Sequence, residues 1–250
     1  IISPANQMRA SKWRAALIGD LDLIHKLRES TIIPPDTIRD QCTMEQDLKR
    51  TFPTIEWFNT DKHLNNISDI LMAYAKVNPN IGYAQGMCFI VFVLYKVYYD
   101  DCPEYAVHDT FFSLHTLIHY IRPLYPRDSE DRHITKWLES TASIIRLKLL
   151  YRYPVLAVKL RNTGFIKLLL IKTAPALFAN WFKMKDIVVL WDYVFTGDIF
   201  ENILSAISAM IVCNRDIYLH LNEEKALQIT AVKSFYKVSS VVSFAHTFQR

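Results

Sequence analysis

Glycine is scarce in this chain, with five in 250 residues, at positions 19, 82, 86, 164 and 197. So few leave little material for tight hairpins or for loops that wrap a phosphate. Neither G-x-x-x-x-G-K-[ST] nor G-x-G-x-x-G can be written, so the chain is not expected to bind a nucleotide by itself. Cysteine is also sparse. The four residues, at 42, 88, 102 and 213, have no paired spacing, which excludes a disulfide scaffold or a cysteine zinc site and reads as a reduced, cytosolic protein. The net charge of +4 is too mild to imply nucleic acid, and lysine and arginine look scattered rather than striped. No apolar run reaches the roughly 18 residues of a membrane span. The strongest, Met87 to Tyr95, stops at Lys96 and reads as a buried helix. No signal peptide is visible. The chain opens on Ile1 rather than Met, as expected of a domain taken from a longer protein.

What is present is a large apolar fraction, 51%, enough for a sizeable core, with charged residues at 22%, too few and too mixed for a disordered chain. Helical periodicity dominates. Ile67, Ile70, Leu71, Tyr74 and Val77 follow one helical face, closed by Pro79. Phe111, Leu114, Ile118 and Ile121 make a second stripe, and Trp137–Leu150 and Asn202–Cys213 read as further helices. Two-residue alternation is nearly absent, Val232 to Phe244 alone being ambiguous, so the fold class is all-α. Ile121 to His133, with two prolines and the cluster Arg127-Asp128-Ser129-Glu130-Asp131-Arg132, reads as a surface loop. The chain is more continuously apolar after it, and a second lobe is expected to begin near residue 150. No fixed-period repeat is visible.

Two segments could carry chemistry. Thr43 and Gln46 fit a capping box, which predicts a helix starting near Met44. Pro53 disfavours helix at Phe52 and should end it near Thr51. Arg50 then lies in the last turn, where the helix dipole favours a cation, with Asp47 one turn back. The plainer reading is an exposed ion pair at a helix end. Gln85, in Ile81-Gly82-Tyr83-Ala84-Gln85-Gly86-Met87, should sit in a short loop before the apolar helix. Gly86 would let another chain's backbone approach, and the carboxamide can donate and accept at once. The plainer reading is a capping or bracing glutamine. By spacing alone the plainer reading is favoured for both.

Three motifs in order change that balance. Arg9 and Trp13 form R-x-x-x-W, followed by Leu17 and Gly19; Met44, Asp47 and Arg50 match I-x-x-D-x-x-R, followed by Thr51-Phe52-Pro53; and Tyr83 and Gln85 form Y-x-Q. Farther on stand Tyr153-Pro154 through Gly164 and Leu190-Trp191-Asp192. The chain resembles the TBC domain, the module that activates GTP hydrolysis by Rab-type small GTPases, over nearly its whole length. The resemblance implies a two-lobed helical domain over residues 1–250, with both fingers in an N-terminal lobe of about 1–150 and a helical lobe of about 151–250. It implies that Arg50 and Gln85 are catalytic fingers supplied in trans to a GTP-bound Rab-family GTPase, which carries the GTP and Mg²⁺. The domain itself then needs no cofactor and no metal. Asp47 would orient the arginine and Tyr83 brace the glutamine loop. Trp13 would anchor the first helix with Arg9 salt-bridged nearby, and Trp191 and Asp192 would tie the second lobe together. A cytoplasmic setting is implied, with room for peripheral association with endomembranes through regions outside this chain. Met44 stands where isoleucine is usual, and the G-I-P that often precedes the first motif is missing.

Two other readings compete. The same fold could hold a Rab or an effector as a non-catalytic scaffold. A helical metal hydrolase could use His115 and His119, four apart, but H-T-L-I-H lacks the glutamate of H-E-x-x-H. Cys102 near His108 has no activating arrangement. Arg146, Lys148 and Arg152, with Tyr151 and Tyr153, read most simply as a solvated helix face, with a partner or membrane contact as the alternative. Tyr95, Tyr98 and Tyr99 read as core and edge packing.

Overall fold

The computed structural model describes residues 4–125, 131–161, 164–220 and 236–249. Among the described residues there are helices, turns and no strand, and the all-α expectation holds. No helix among them is long and apolar enough to cross a membrane. The chain falls into two compact units: Ile1–Arg127 with Pro175–Asn180, and Asp128–Ala174 with Trp181–Arg250. The division is therefore earlier than residue 150, which lies inside an unbroken helix, Asp131–Arg152. A second departure is that Pro175–Asn180 returns to the first unit.

The first unit contains α1 (Pro4–Leu17), α2 (Leu21–Arg28), α3 (Gln41–Arg50), α4 (Asp61–Val77), α5 (Met87–Asp101) and α6 (Ala106–Ile121). The sequence of α5, MCFIVFVLYKVYYDD, is apolar nearly all round, so it can only be a core helix. It packs against α1, α3, α4 and α6. Ile67, Ile70, Leu71 and Tyr74 of α4 are buried as their spacing predicts, whereas Val77, in the last turn, is exposed. Phe111, Leu114, Ile118 and Ile121 of α6 are buried.

Charge is also taken into this core. Asp109, 1% exposed, accepts from Arg14 Nε at 2.6 Å and from Arg28 Nε and Nη2 at 2.9 and 2.6 Å. Arg14 also reaches Asp101 at 2.6 Å. A buried carboxylate is tolerated only when cations and donors surround it. These bonds tie α1 and α2 to α6. Trp13 is buried in α1, and the buried arginine of that helix is Arg14; the half-buried Arg9 donates to Asn6 at 3.1 Å.

The second unit contains α7 (Asp131–Arg152), α8 (Pro154–Lys159), α9 (Gly164–Thr173), α10 (Met184–Val194), α11 (Ile199–Cys213), α12 (Arg215–His220) and α13 (Val238–Thr247). Asp198 caps α11 by accepting from the Glu201 amide at 2.9 Å. The core helix α11 packs on α7, α10 and α13. Trp191 of α10 is fully buried against Phe195, while Asp192 points outward. Buried Asn202 donates to the carbonyls of Tyr193 and Val194, each at 3.2 Å, closing the end of α10.

The expected loop over 121–133 is narrower than its composition suggests. Ile121 ends α6, Arg122–Leu124 form one 3₁₀ turn, and α7 begins at Asp131. Residues 126–130 of that cluster lie outside the described residues. The ambiguous Val232–Phe244 resolves as helix from Val238, with 232–235 outside the described residues.

Candidate functional site

The helix bearing Arg50 starts earlier than the capping box predicts. Gln41 is its first residue, Asp40 occupies the cap position, and Thr43 lies inside the first turn. The Met44 amide already bonds the Asp40 carbonyl at 3.0 Å, and Gln41 donates to Glu45 at 2.9 Å, one turn on. The other end is where Pro53 predicts. Thr51 caps the helix, and its hydroxyl donates to the Asp47 carbonyl at 2.7 Å.

Phe52 then takes a left-handed backbone, φ 49°. That conformation costs a residue with a side chain roughly 1–2 kcal/mol. The ring offsets this by packing at 5.6 Å from Phe89 of α5, 6.0 Å from Phe58 and 6.2 Å from Phe92. The chain is thus turned sharply immediately after Arg50. The arginine side chain is left 58% exposed, while Asp47, with which it makes an ion pair, is only 3% exposed.

The Asp47 carboxylate has a second partner. Tyr83 donates to its Oδ2 at 2.5 Å, and Cys88 Sγ lies 3.2 Å from the same phenol oxygen. Burial first, then the neighbouring Cys88 and Asp47, hold the Tyr83 phenol well above its ordinary value, so it stays protonated. Burial likewise pushes the Cys88 thiol up to about 12, with Asp47 adding to the rise and Tyr83 and Arg50 opposing it.

Gln85 is exposed two residues beyond Tyr83, in the turn that enters α5. Its Cα lies at most about 7.6 Å from that of Tyr83, the reach of two peptide units. The tyrosine ring therefore leads from the buried carboxylate to the loop that presents the carboxamide.

Gly86 plays a different part from the one its sequence context suggested. Its φ is +107°, and a Cβ there would stand 2.9 Å from the Pro175 carbonyl oxygen. The backbone that comes close is this chain's own. The same Pro175 oxygen accepts from Tyr125 at 2.5 Å, so the wall behind the glutamine loop is itself fixed. No sequence spacing announced this wall, because Pro175 is 89 positions from Gly86.

Among the described residues no group of three or more His, Cys, Asp or Glu side chains could hold a metal ion. His115 meets Asn78 at 3.4 Å and the Tyr74 ring at 6.2 Å between centroids. Tyr95 and Tyr98 are buried and Tyr99 is half-buried.

The site offers an exposed cation paired with a buried carboxylate, which accepts from the phenol two residues before an exposed carboxamide. Such an arrangement suits stabilising anionic charge that develops on a group brought from outside. The fold defines the class. The chain is similar to the Ypt/Rab-GAP domain of Gyp1p, with a TM-score of 0.66 at 17% identity over 98% of this chain and 80% of that one. It is similar also to the Chlamydomonas flagellar RabGAP TBC domain, with a TM-score of 0.63 at 18% identity over 96% of this chain and 79% of that one. At these identities the likeness is one of fold.

The model of the Rab-GTPase-TBC domain family matches residues 23–219, and the chain belongs to that family. It is 31% identical to mouse TBC1 domain family member 13 over 163 residues, covering 62% of this chain and 40% of that protein. It is 26% identical to Drainin of Dictyostelium discoideum over 219 residues, covering 82% of this chain and 47% of that protein. The chain thus spans less than half the length of these relatives.

Proposed function

We propose that this domain accelerates GTP hydrolysis on a GTP-bound Rab-family GTPase by supplying Arg50 and Gln85 in trans. One observation supports the reading above the others. The exposed guanidinium is held by a buried carboxylate, and that carboxylate is held by the tyrosine two residues before the exposed glutamine. Two fingers 35 positions apart in sequence thereby share one foundation.

The division of labour follows from the side chains. Charge spreads over the γ-phosphoryl oxygens in the transition state, and a guanidinium meets it with several fixed donors. The attacking water must be held in line, and a carboxamide can accept from it and donate elsewhere at once. An arginine supplied in this way is worth about 10³–10⁵ in rate, which is roughly 4–7 kcal/mol of barrier. GTP and Mg²⁺ are carried by the GTPase. This accounts for a chain with five glycines and no phosphate loop.

The test is single-turnover phosphate release from a panel of GTP-loaded Rabs, with and without the domain. At least one Rab is expected to respond. Arg50→Ala and Gln85→Ala should each remove most of the stimulation while the helical circular dichroism is unchanged. A responsive Rab stimulated equally by both variants would overturn the finger assignment. Binding of Rab with no stimulation by the wild-type domain would instead support a non-catalytic scaffold.

A further inference from the structure

The second unit carries a surface that its own packing leaves unused. From Ser140 to Lys185 the sequence holds nine lysines or arginines and no aspartate or glutamate. The net charge of +4 conceals this, because the rest of the chain is net negative.

From Leu138 onward, α7 is apolar on two sides. Leu138, Ala142, Ile145 and Leu149 are buried. Ile144, Leu147, Leu150 and Tyr151 fall on the other side of the helix and are exposed, Leu147 by 60% and Tyr151 by 86%. The short helix α8, which packs on α7, repeats the division. Its Leu156 and Ala157 are buried, while Val155 and Val158 are 69% and 62% exposed. Single exposed apolar residues are ordinary, but six on two adjoining helices are not.

Arg152, Lys159 and Arg161 are exposed on the same two helices and the turn that follows. The acidic groups that approach are already engaged: Glu139 by Lys167 at 3.2 Å, and Glu201 by Lys148.

We propose that the exposed face of α7 and α8 docks onto an anionic lipid bilayer. The apolar side chains project from the outer faces of helices. The cleft beside them, of about 390 Å³, is instead polar, lined by Ser143, Arg146, Arg161 and Lys167 among others. Projecting aliphatic groups enter the headgroup boundary, an exposed tyrosine sits well there, and arginine and lysine extend their charges to lipid phosphates. An acid-free segment meets no repulsion from a negative leaflet. A folded partner would have to supply both an apolar hollow and an acidic rim, whereas a bilayer containing anionic lipid has both properties already. This inference does not depend on the assignment of Arg50 and Gln85.

Co-sedimentation with vesicles tests it. The chain should bind vesicles of phosphatidylcholine with about one-third phosphatidylserine and not phosphatidylcholine alone, and binding should weaken at about 0.5 M salt. Leu147→Glu with Tyr151→Glu should lower the binding at least about tenfold. Arg152→Glu with Lys159→Glu should do the same through charge alone. Both double variants alter exposed positions and should keep the wild-type circular dichroism and melting temperature. No binding to anionic vesicles, equal binding to neutral ones, or binding indifferent to both double variants would overturn the proposal. So would self-association abolished by Leu147→Glu with Tyr151→Glu in a chain without vesicle affinity. An acidic amphipathic peptide captured by a chain that ignores vesicles would overturn it too.

Discussion

Tyr83 donates its phenolic proton to Asp47 at 2.5 Å, joining two segments 36 positions apart. The carboxylate is almost wholly buried, yet the arginine paired with it is more than half exposed. A buried carboxylate needs partners, and here one comes from the core and one from the surface. The bond therefore anchors an exposed cation to the interior of the first unit.

Tyr83→Phe keeps the ring and removes that donor. The fold should lose about 1–3 kcal/mol, the cost of leaving a buried acceptor short of a partner. Urea unfolding should show this as a lower midpoint with an unchanged slope. On the proposed assignment, stimulated hydrolysis should fall by less than it does in Arg50→Ala, since Arg50 and Gln85 both remain and only the support beneath Asp47 is loosened.

Gly86→Ala should be damaging, although it adds one methyl group. The residue would have to hold φ near +107° with its Cβ 2.9 Å from a backbone oxygen that Tyr125 keeps in place. A loss of more than about 1 kcal/mol is expected in the same unfolding assay. Gly164→Ala is the control. An added Cβ there meets nothing within 4 Å, so its midpoint should equal or exceed the wild type.

Asp109→Ala removes the carboxylate that Arg28 pairs with and leaves the buried Arg14 with Asp101 alone. Arg14 and Arg28 both converge on this carboxylate, and the Arg14 side chain is only 9% exposed. Removing one member of a buried ionic group costs about 3–5 kcal/mol. The thermal midpoint should drop accordingly, with little effect from Arg215→Ala, whose contact to Asp216 at 3.8 Å joins exposed groups.

His63 predicts a dependence on pH. It stacks on Trp57 at 3.7 Å between centroids, and burial, then Lys62 and Lys96, lower its pKa below the usual 6.5. The fold thus favours the neutral ring, while the unfolded chain takes up a proton near pH 6.5. The stabilisation is complete above that pH and is lost as pH falls towards the depressed folded value. Unfolding midpoints measured between pH 7.5 and about 5 should decline. His63→Phe should flatten this part of the profile.

Much of the fold was legible in the chain. Helical spacing located the buried faces of α4 and α6, and the unbroken apolar run of α5 marked a core helix. The end of α3 was legible because Pro53 acts on its immediate neighbour. Its start was not, since a polar pattern such as Thr43 to Gln46 fits a helix interior as well as a cap. The division near residue 150 was misplaced because a change in apolar content does not reveal that α7 runs through that position. Arg14 and Asp109 gave no signal at all, being 95 positions apart and individually ordinary.

The sequence alone determined the helices and the identities of the two exposed groups, because periodicity and residue chemistry are local properties. Tertiary structure decided what holds them. The meeting of Asp47 with Tyr83, the Pro175 carbonyl behind Gly86 and the outward apolar side of α7 all depend on which distant segments pack together. Packing is fixed by burial summed over the whole chain, and no short stretch of residues encodes it.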